Sequence, residues 1–352
     1  MLYGNSMYLS QLEMGLKSRK AWADVFVIRT STGILESRIS LKRTIHAVAL
    51  KRELEKYDVI HIQFTFPIGL VCSLLRKLGL LSPAIIIHTH GYDVLTVPEV
   101  GYGLRRTAFG CLAAKQAWQH ASKIITVCRE TARRVAIAGV TSDKIEILYN
   151  GVDHQLFRKC ISRSRQINEH EPFVFLNVAS FLPIKNHIAL LAAFRKTRKL
   201  YKNKFEVKLM LVGDGPLRNA IESRAPEGVV FCGTIPHNKL PGVYRQSDAF
   251  VLPSKSEGHP WSLLEAMSCG IPSIASSVGG VPETIQDPEF LINPWSVEDI
   301  MMKMVSLVEM SQEERASLGD KNRETVLREF TMNEHIDNLL RIYENALEKK
   351  IA

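Results

Sequence analysis

The feature that most constrains this chain is a strict alternation of short β-branched runs with helical stretches, repeated in two series along 352 residues. The first series reads Val25 to Ile28, Asp58 to Gln63, Ala84 to His90, Lys123 to Cys128 and Ile145 to Tyr149. The second reads Phe173 to Ala179, Val207 to Gly213, Val229 to Gly233, Ala249 to Pro253, Ser273 to Ser276 and Phe290 to Ile292. Helical patterns such as Ile188 to Leu200 and Trp261 to Ser268 lie between them. Strands that alternate with helices form parallel sheets covered on both faces. Two series therefore predict an α/β protein with two doubly wound, Rossmann-like domains, which also suits the length.

Composition narrows the class. An apolar content of 46% with mean hydropathy near zero supports a large core and excludes disorder or a collagenous chain. Six cysteines without a C-x-x-C pair signal neither a disulfide framework nor a structural zinc site. No apolar run reaches the roughly 20 residues of a membrane span. The richest stretch, Phe66 to Ile87, is broken by Arg76, Lys77 and Pro83, and reads as a short buried helix followed by a strand. The N-terminus lacks the order of a signal peptide. The expectation is a cytoplasmic protein, peripheral at the inner face of the membrane.

Charge is unevenly placed. Met1 to Asp153 holds 20 Lys and Arg against 12 Asp and Glu, whereas the remainder holds 25 against 24. A basic first half has two readings: attraction to an anionic partner such as a phospholipid surface, or solvated basic helix faces. Nothing in the pattern points to nucleic acid.

The polar segment Arg158 to Glu171 separates the two series as an inter-domain connection. The expected domains are residues 1–155 and 156–333. A closing amphipathic helix from about residue 334 to 352 packs back on the first, with Ile336, Leu339, Leu340, Ile342, Tyr343 and Leu347 on one side. The start is unusual. Met1 leads through Tyr3-Gly4-Asn5-Ser6 into a helical pattern to about Lys17, without the strand and glycine turn that open a doubly wound domain. A displaced start, a fragment and a lost edge strand are the alternatives.

The strongest chemical signal is Glu257-Gly258-His259-Pro260-Trp261-Ser262-Leu263-Leu264-Glu265, after one strand and into one helix. Two carboxylates eight residues apart can face the crevice at the C-terminal edge of a sheet, where ligands bind in such folds. Backbone N–H groups at a helix start suit a diphosphate, and carboxylates accept sugar and ribose hydroxyls. By spacing alone, two surface carboxylates fit as well. In the first domain, Ile87-His88-Thr89-His90-Gly91-Tyr92-Asp93 ends a strand at the crevice, with His88 and His90 on one face. An H-x-H at a strand end also occurs in metal sites, but no third and fourth ligand is placed. Gly213-x-Gly215-x-x-Arg218 lacks the third glycine of a dinucleotide fingerprint, and neither G-x-x-x-x-G-K-[ST] nor H-E-x-x-H occurs.

Taken with Ser276-Ser277-Val278-Gly279-Gly280-Val281-Pro282-Glu283, Val212-Gly213-Asp214-Gly215-Pro216, Phe231-Cys232-Gly233, Tyr244 to Ser254 and Asn150-Gly151-Val152-Asp153, the Glu257 segment resembles the E-x7-E retaining glycosyltransferases of family 4 over nearly the whole chain. The resemblance implies a GT-B fold, two Rossmann-like domains facing across a cleft, with the first strand of the N-terminal domain missing here. It implies that Glu265 bonds the donor ribose and Glu257 the donor sugar. Backbone N–H groups at Gly258, His259, Trp261 and Ser262 then meet sugar and phosphate, and Thr234-Ile235-Pro236 flanks the base. His90 is placed beside the donor sugar and Asp93 on the acceptor side; His61, after Asp58-Val59-Ile60, also has a family-like position but reads as a structural residue. Lys185 matches the family's phosphate-binding lysine, whereas Ser180 stands where its arginine is usual. The implied activity is transfer of a hexose from a nucleotide diphosphate sugar to an acceptor hydroxyl with retention, in cell-surface glycan, lipopolysaccharide or glycolipid synthesis. The catalytic set is His90, Lys185 and Glu257, no cofactor or metal is expected, and the acceptor is a glycan or lipid-linked sugar. The missing strand and Ser180 keep open a non-catalytic GT-B protein that binds glycan or nucleotide, or an inactive fragment.

Overall fold

A computed structural model of the chain describes residues 12–14, 16, 18–19, 52, 54–159 and 171–351. The strand expected at Val25 to Ile28, most of the opening segment and most of the expected connection lie outside the described residues. In the first unit, β1 (Val59–Ile62) leads through an irregular turn to α1 (Leu70–Lys77) and β2 (Ala84–Thr89). The chain continues through α2 (Ala108–His120), β3 (Lys123–Thr126), α3 (Arg129–Ile137) and β4 (Ile145–Ile147). The four described strands pair in parallel in the order β1-β2-β3-β4.

The second unit runs β5 (Phe173–Val178), α4 (His187–Tyr201), β6 (Val207–Val212), α5 (Arg218–Glu222), β7 (Val229–Gly233), α6 (Leu240–Tyr244) and β8 (Ala249–Leu252). It continues with α7 (Trp261–Ser268), β9 (Ser273–Ser276), α8 (Val281–Thr284), β10 (Leu291–Ile292), α9 (Val297–Glu309) and α10 (Gln312–Glu329). Its six parallel strands lie in the order β7-β6-β5-β8-β9-β10. That is the doubly wound order, with its topological switch between β5 and β8.

Alternation along the strands explains the layers. In β2, Ile85 and Ile87 point to the face covered by α1, α2 and α3, where they meet Cys72, Ala114, Ala117, Trp118 and Val135. Ala84 and Ile86 point to the other face and meet Leu12, Leu16 and the final helix α11 (Met332–Ile351) through Ile336, Leu339, Ile342 and Ala346. The C-terminal helix α11 thus covers this face of the first sheet. The second core joins both faces of the second sheet around Phe173, Phe175, Phe194, Phe250 and Tyr244.

Local differences have local causes. Phe290 leaves its expected strand for a 3-10 turn at Pro288–Phe290, because Asp287 accepts the Glu289 N–H at 2.9 Å and Pro288 sets the turn. His90 lies just past β2 instead of within it. The helix expected to be buried between Phe66 and Ile87 is only half so: Cys72 and Ser73 are buried in α1, while Val71 faces solvent. No helix among the described residues is long and apolar enough to cross a membrane.

Candidate active site

The cleft lies where the C-terminal edges of both sheets meet. Two crossovers join the units and are pinned to each other, since Val152 N–H donates to the Phe330 carbonyl at 2.9 Å and Met332 N–H to the Val152 carbonyl at 3.0 Å. At the switch point, the turn after β5 carries Lys185 and the loop after β8 carries Glu257. Their side chains meet, Lys185 Nζ donating to Glu257 Oε1 at 2.6 Å, with Glu257 nearly buried. Burial makes this a stronger pair than a surface ion pair, and each charge requires the other unless a ligand replaces it.

Glu265 lies in the middle of α7, and its carboxylate is buried. Tyr244 Oη donates to Oε2 at 2.8 Å, and His237 Nε2 lies 2.7 Å from Oε1. A carboxylate has about four acceptor sites, so these two contacts orient it and leave capacity for hydroxyls. His237 belongs to the loop that follows Ile235, which links the expected base-flanking segment to Glu265. Trp261 and Ser262 open α7, and no side chain caps its N-terminus. Exposed first-turn N–H groups of this kind hold anions.

Across the cleft, His90 and Trp261 approach with ring centroids 6.0 Å apart. His88 and His90 stack at 4.3 Å, so they do share one face, and His61 stacks on His88 at 5.3 Å. His90 Nε2 donates to Gln63 Oε1 at 2.7 Å. Burial, with His335 nearby, holds the His90 ring down to about 3, so it is neutral at pH 7. Among the described residues, no three His, Cys, Asp or Glu side chains converge as a metal site.

Asp93 is buried, not open to the cleft. Its oxygens accept the Thr65 N–H at 3.0 Å and the His90 N–H at 3.4 Å, and burial raises the carboxyl to about 6. It therefore organises the loops beside His90. His259 also turns away from the cleft. Its Nδ1 accepts the Asn150 N–H at 3.0 Å, which leaves the proton on Nε2, facing Thr284 Oγ1 at 3.0 Å. Asn150 Nδ2 completes the tie to the His259 carbonyl at 2.6 Å.

Close packing explains the glycine pair. A Cβ on Gly279 would lie 1.7 Å from the Glu257 carbonyl oxygen, and one on Gly280 would lie 2.5 Å from that of Gly258. Gly279 also has φ of +54°. The pair thus presses the loop after β9 onto the backbone that carries Glu257. Gly258 in turn packs on the His90 carbonyl oxygen of the first domain.

A model of glycosyl transferases group 1 matches residues 160–325, and a model of glycosyltransferase family 4 matches residues 16–156. The chain belongs to glycosyltransferase family 4. Among similar curated proteins, N-acetyl-alpha-D-glucosaminyl L-malate synthase of Bacillus anthracis is 25% identical over 308 residues, 83% of this chain and 76% of that protein. The UDP-Gal:alpha-D-GlcNAc-diphosphoundecaprenol alpha-1,3-galactosyltransferase of Escherichia coli is 24% identical over 314 residues, covering 84% and 77%. Among solved structures, sucrose-phosphate synthase from Thermosynechococcus elongatus superposes with a TM-score of 0.78 at 20% identity, covering 98% of this chain and 94% of that one. Anabaena HepE with UDP and glucose gives 0.75 at 16%, covering 98% and 96%. The fold of this family 4 transferase is therefore GT-B.

Reading residues alone missed a clasp between the domains of this transferase. Glu283 of α8 accepts the Arg129 N–H at the start of α3, at 3.0 and 3.1 Å to its two oxygens, and the Tyr149 hydroxyl at 2.6 Å. The local signals were the place of Tyr149 just before the crossover and that of Glu283 at the end of the glycine-pair segment. Glu283→Ala should leave both donors without this acceptor and loosen the closed cleft. Small-angle scattering should show a larger radius of gyration for the variant than for wild type, and equal radii would remove the clasp from the account.

Proposed function

We propose that this glycosyltransferase moves a hexose from a nucleoside diphosphate sugar to an acceptor hydroxyl with retention at the anomeric carbon and without a metal. The Lys185–Glu257 pair at the switch point carries the reading. One cation and one carboxylate side by side in the crevice between the turn after β5 and the first turn of α7 support a diphosphate sugar as the ligand. On donor binding, Lys185 shifts part of its contact from Glu257 to the diphosphate. Glu257 then accepts sugar hydroxyls, and Glu265 accepts the ribose. The N–H groups that open α7 face the phosphates, and Ile235 flanks the base.

Charge on the leaving diphosphate is met by Lys185 and these amides, as transition-state stabilisation of a leaving anion requires. The bond from the anomeric carbon to the phosphate oxygen breaks, and the acceptor oxygen bonds on the same face. The leaving phosphate oxygen takes the acceptor proton, so no carboxylate nucleophile is needed. His90, neutral and hydrogen-bonded to Gln63, faces the donor sugar, and Asp93 holds the acceptor-side loops from within. The acceptor is a glycan or lipid-linked sugar in glycan or glycolipid synthesis. UDP sugars are the first donors to try, since HepE structures contain UDP and UDP-glucose.

The test is a thermal-shift screen of nucleotide sugars, then product anomer by NMR with and without EDTA. Stabilisation by one donor, retained configuration and insensitivity to EDTA are expected. Binding without turnover across a full acceptor panel would favour the non-catalytic reading that Ser180 keeps open. At Glu265, loss of the carboxylate removes ribose bonds worth roughly 1.5 to 3 kcal/mol. Glu265→Gln should therefore weaken nucleoside diphosphate affinity about tenfold or more by calorimetry. Unchanged affinity would move the ribose elsewhere.

A further inference from the structure

Helix α2 is apolar on both sides. Its inner face, Gly110, Ala113, Ala114, Ala117 and Trp118, fills the core of the first domain. Its outer face presents Phe109 at 61% and Leu112 at 59% exposure, with Lys115 one turn further on. Two large apolar side chains exposed side by side at the start of the outer face, beside Lys115 and Gln116, mark a candidate interaction surface. The neighbouring helix α1 extends the surface. It packs beside α2, Phe66 just before it meets Phe109 edge to face at 5.8 Å, and Val71 in its first turn is exposed. Leu78 and Leu80, exposed at 68% and 45%, continue the apolar patch past the end of α1.

Charge on the two helices has one sign, and Glu55, at the Ser82 N–H, and Glu130, paired with Arg133 and Arg134, are the acids at the margin of the patch. Neither α1 nor α2 contains an acidic residue, while Arg76, Lys77 and Lys115 lie on them and Arg105 and Arg106 immediately precede α2. Lys77, Arg106 and Lys115 are exposed. A second copy of this surface would bring like charges together, which disfavours self-association through it. An anionic lipid surface satisfies both features, since apolar side chains enter the interface while Lys and Arg remain at the headgroups.

We propose that the outer face of α1 and α2 is a docking surface for an anionic bilayer. Phe109, Leu112 and Val71 insert there, and Lys77, Arg106 and Lys115 contact the headgroups. These helices begin at the sheet edge that carries His90, so docking sets the acceptor side of the cleft near the membrane plane. The proposal goes beyond the transfer reaction and does not depend on it. The excess of basic residues in the first half of the chain, which alone fits solvated helix faces equally well, acquires a location.

The test is co-sedimentation of the full chain with phosphatidylglycerol/phosphatidylcholine vesicles and with phosphatidylcholine vesicles, at low and high salt. Wild type should bind the anionic vesicles at least about tenfold more strongly than the neutral ones and be released by salt. The variant F109E/L112E, altered at two exposed positions, should lose about tenfold or more of that binding while keeping its melting temperature. Arg106→Glu with Lys115→Glu should lose the salt-sensitive part. Equal binding of wild type to both vesicle types, or full anionic binding by F109E/L112E, overturns the proposal. So does a dimer, seen by light scattering, that F109E/L112E dissolves, because the patch would then be a contact between copies.

Discussion

Moderate acid should unfold this protein. Six histidine rings, four buried and His61 and His90 partly so, are held neutral by desolvation: His61, His90 and His259 at about 3, His187 and His335 at about 4, and His88 well below its ordinary value. The unfolded chain takes up protons near 6.5, the folded chain only near 3 to 4. Between those values the unfolded state binds more protons, so stability is complete above the unfolded pKa and falls as pH drops.

At about 1.4 kcal/mol per pH unit and ring, pH 5 costs about 2 kcal/mol for each ring. Three rings alone would remove about 6 kcal/mol, comparable with the whole stability of a domain. Asp93 acts oppositely: its carboxyl is raised to about 6, so it binds its proton more readily folded than unfolded and returns about 1 kcal/mol at pH 5. The sum favours loss. Melts between about pH 7.5 and 5 at constant ionic strength should show Tm falling by roughly 10 °C or more. A flat Tm over that window would mean that these rings are not buried together as described.

That prediction was not legible in the sequence, and the reason is physical. Strands follow from local alternation, and each strand expected within the described residues is present to within about two residues. His61, His88 and His90 also announce one face through period two. His259, however, is neutral because it is desolvated, and it is fixed because Asn150, 109 positions away, donates to its Nδ1. Glu283 meets Arg129 across 154 positions and Tyr149 across 134. Such pairings depend on how two sheets face each other, and no periodicity encodes that. Asp93 shows the converse limit. Its place after His90 put it at the cleft, but the irregular turn at Thr65 supplies an N–H that draws the carboxylate inward. Lys185 and Glu257 lay between these cases. Both follow strands at the switch point, so doubly wound topology brings their loops together, although their direct contact needed coordinates.

The pair also sets the expected outcome at Lys185. If the diphosphate draws Lys185 away from Glu257, the lysine charge is needed most when the bond to the anomeric carbon has broken and the phosphate charge is largest. Lys185→Ala should lower kcat/KM by on the order of 100-fold or more, the scale seen when one stabilising donor is removed. Donor affinity should fall less, because the α7 amides and Glu265 remain. The variant also leaves Glu257 without its cation, so Lys185→Ala combined with Glu257→Gln should lose less than the two single changes together. Ser180 is exposed at the turn after β5, against the Gly213 turn. Ser180→Arg therefore has room to add a second, planar cation at the phosphates and should raise kcat or donor affinity. Donor hydrolysis and transfer by the wild type and these variants give the answer. Equal turnover by wild type and Lys185→Ala would remove the lysine from the reaction, and a Ser180→Arg variant with unchanged rates would mean that another group already neutralises the leaving diphosphate.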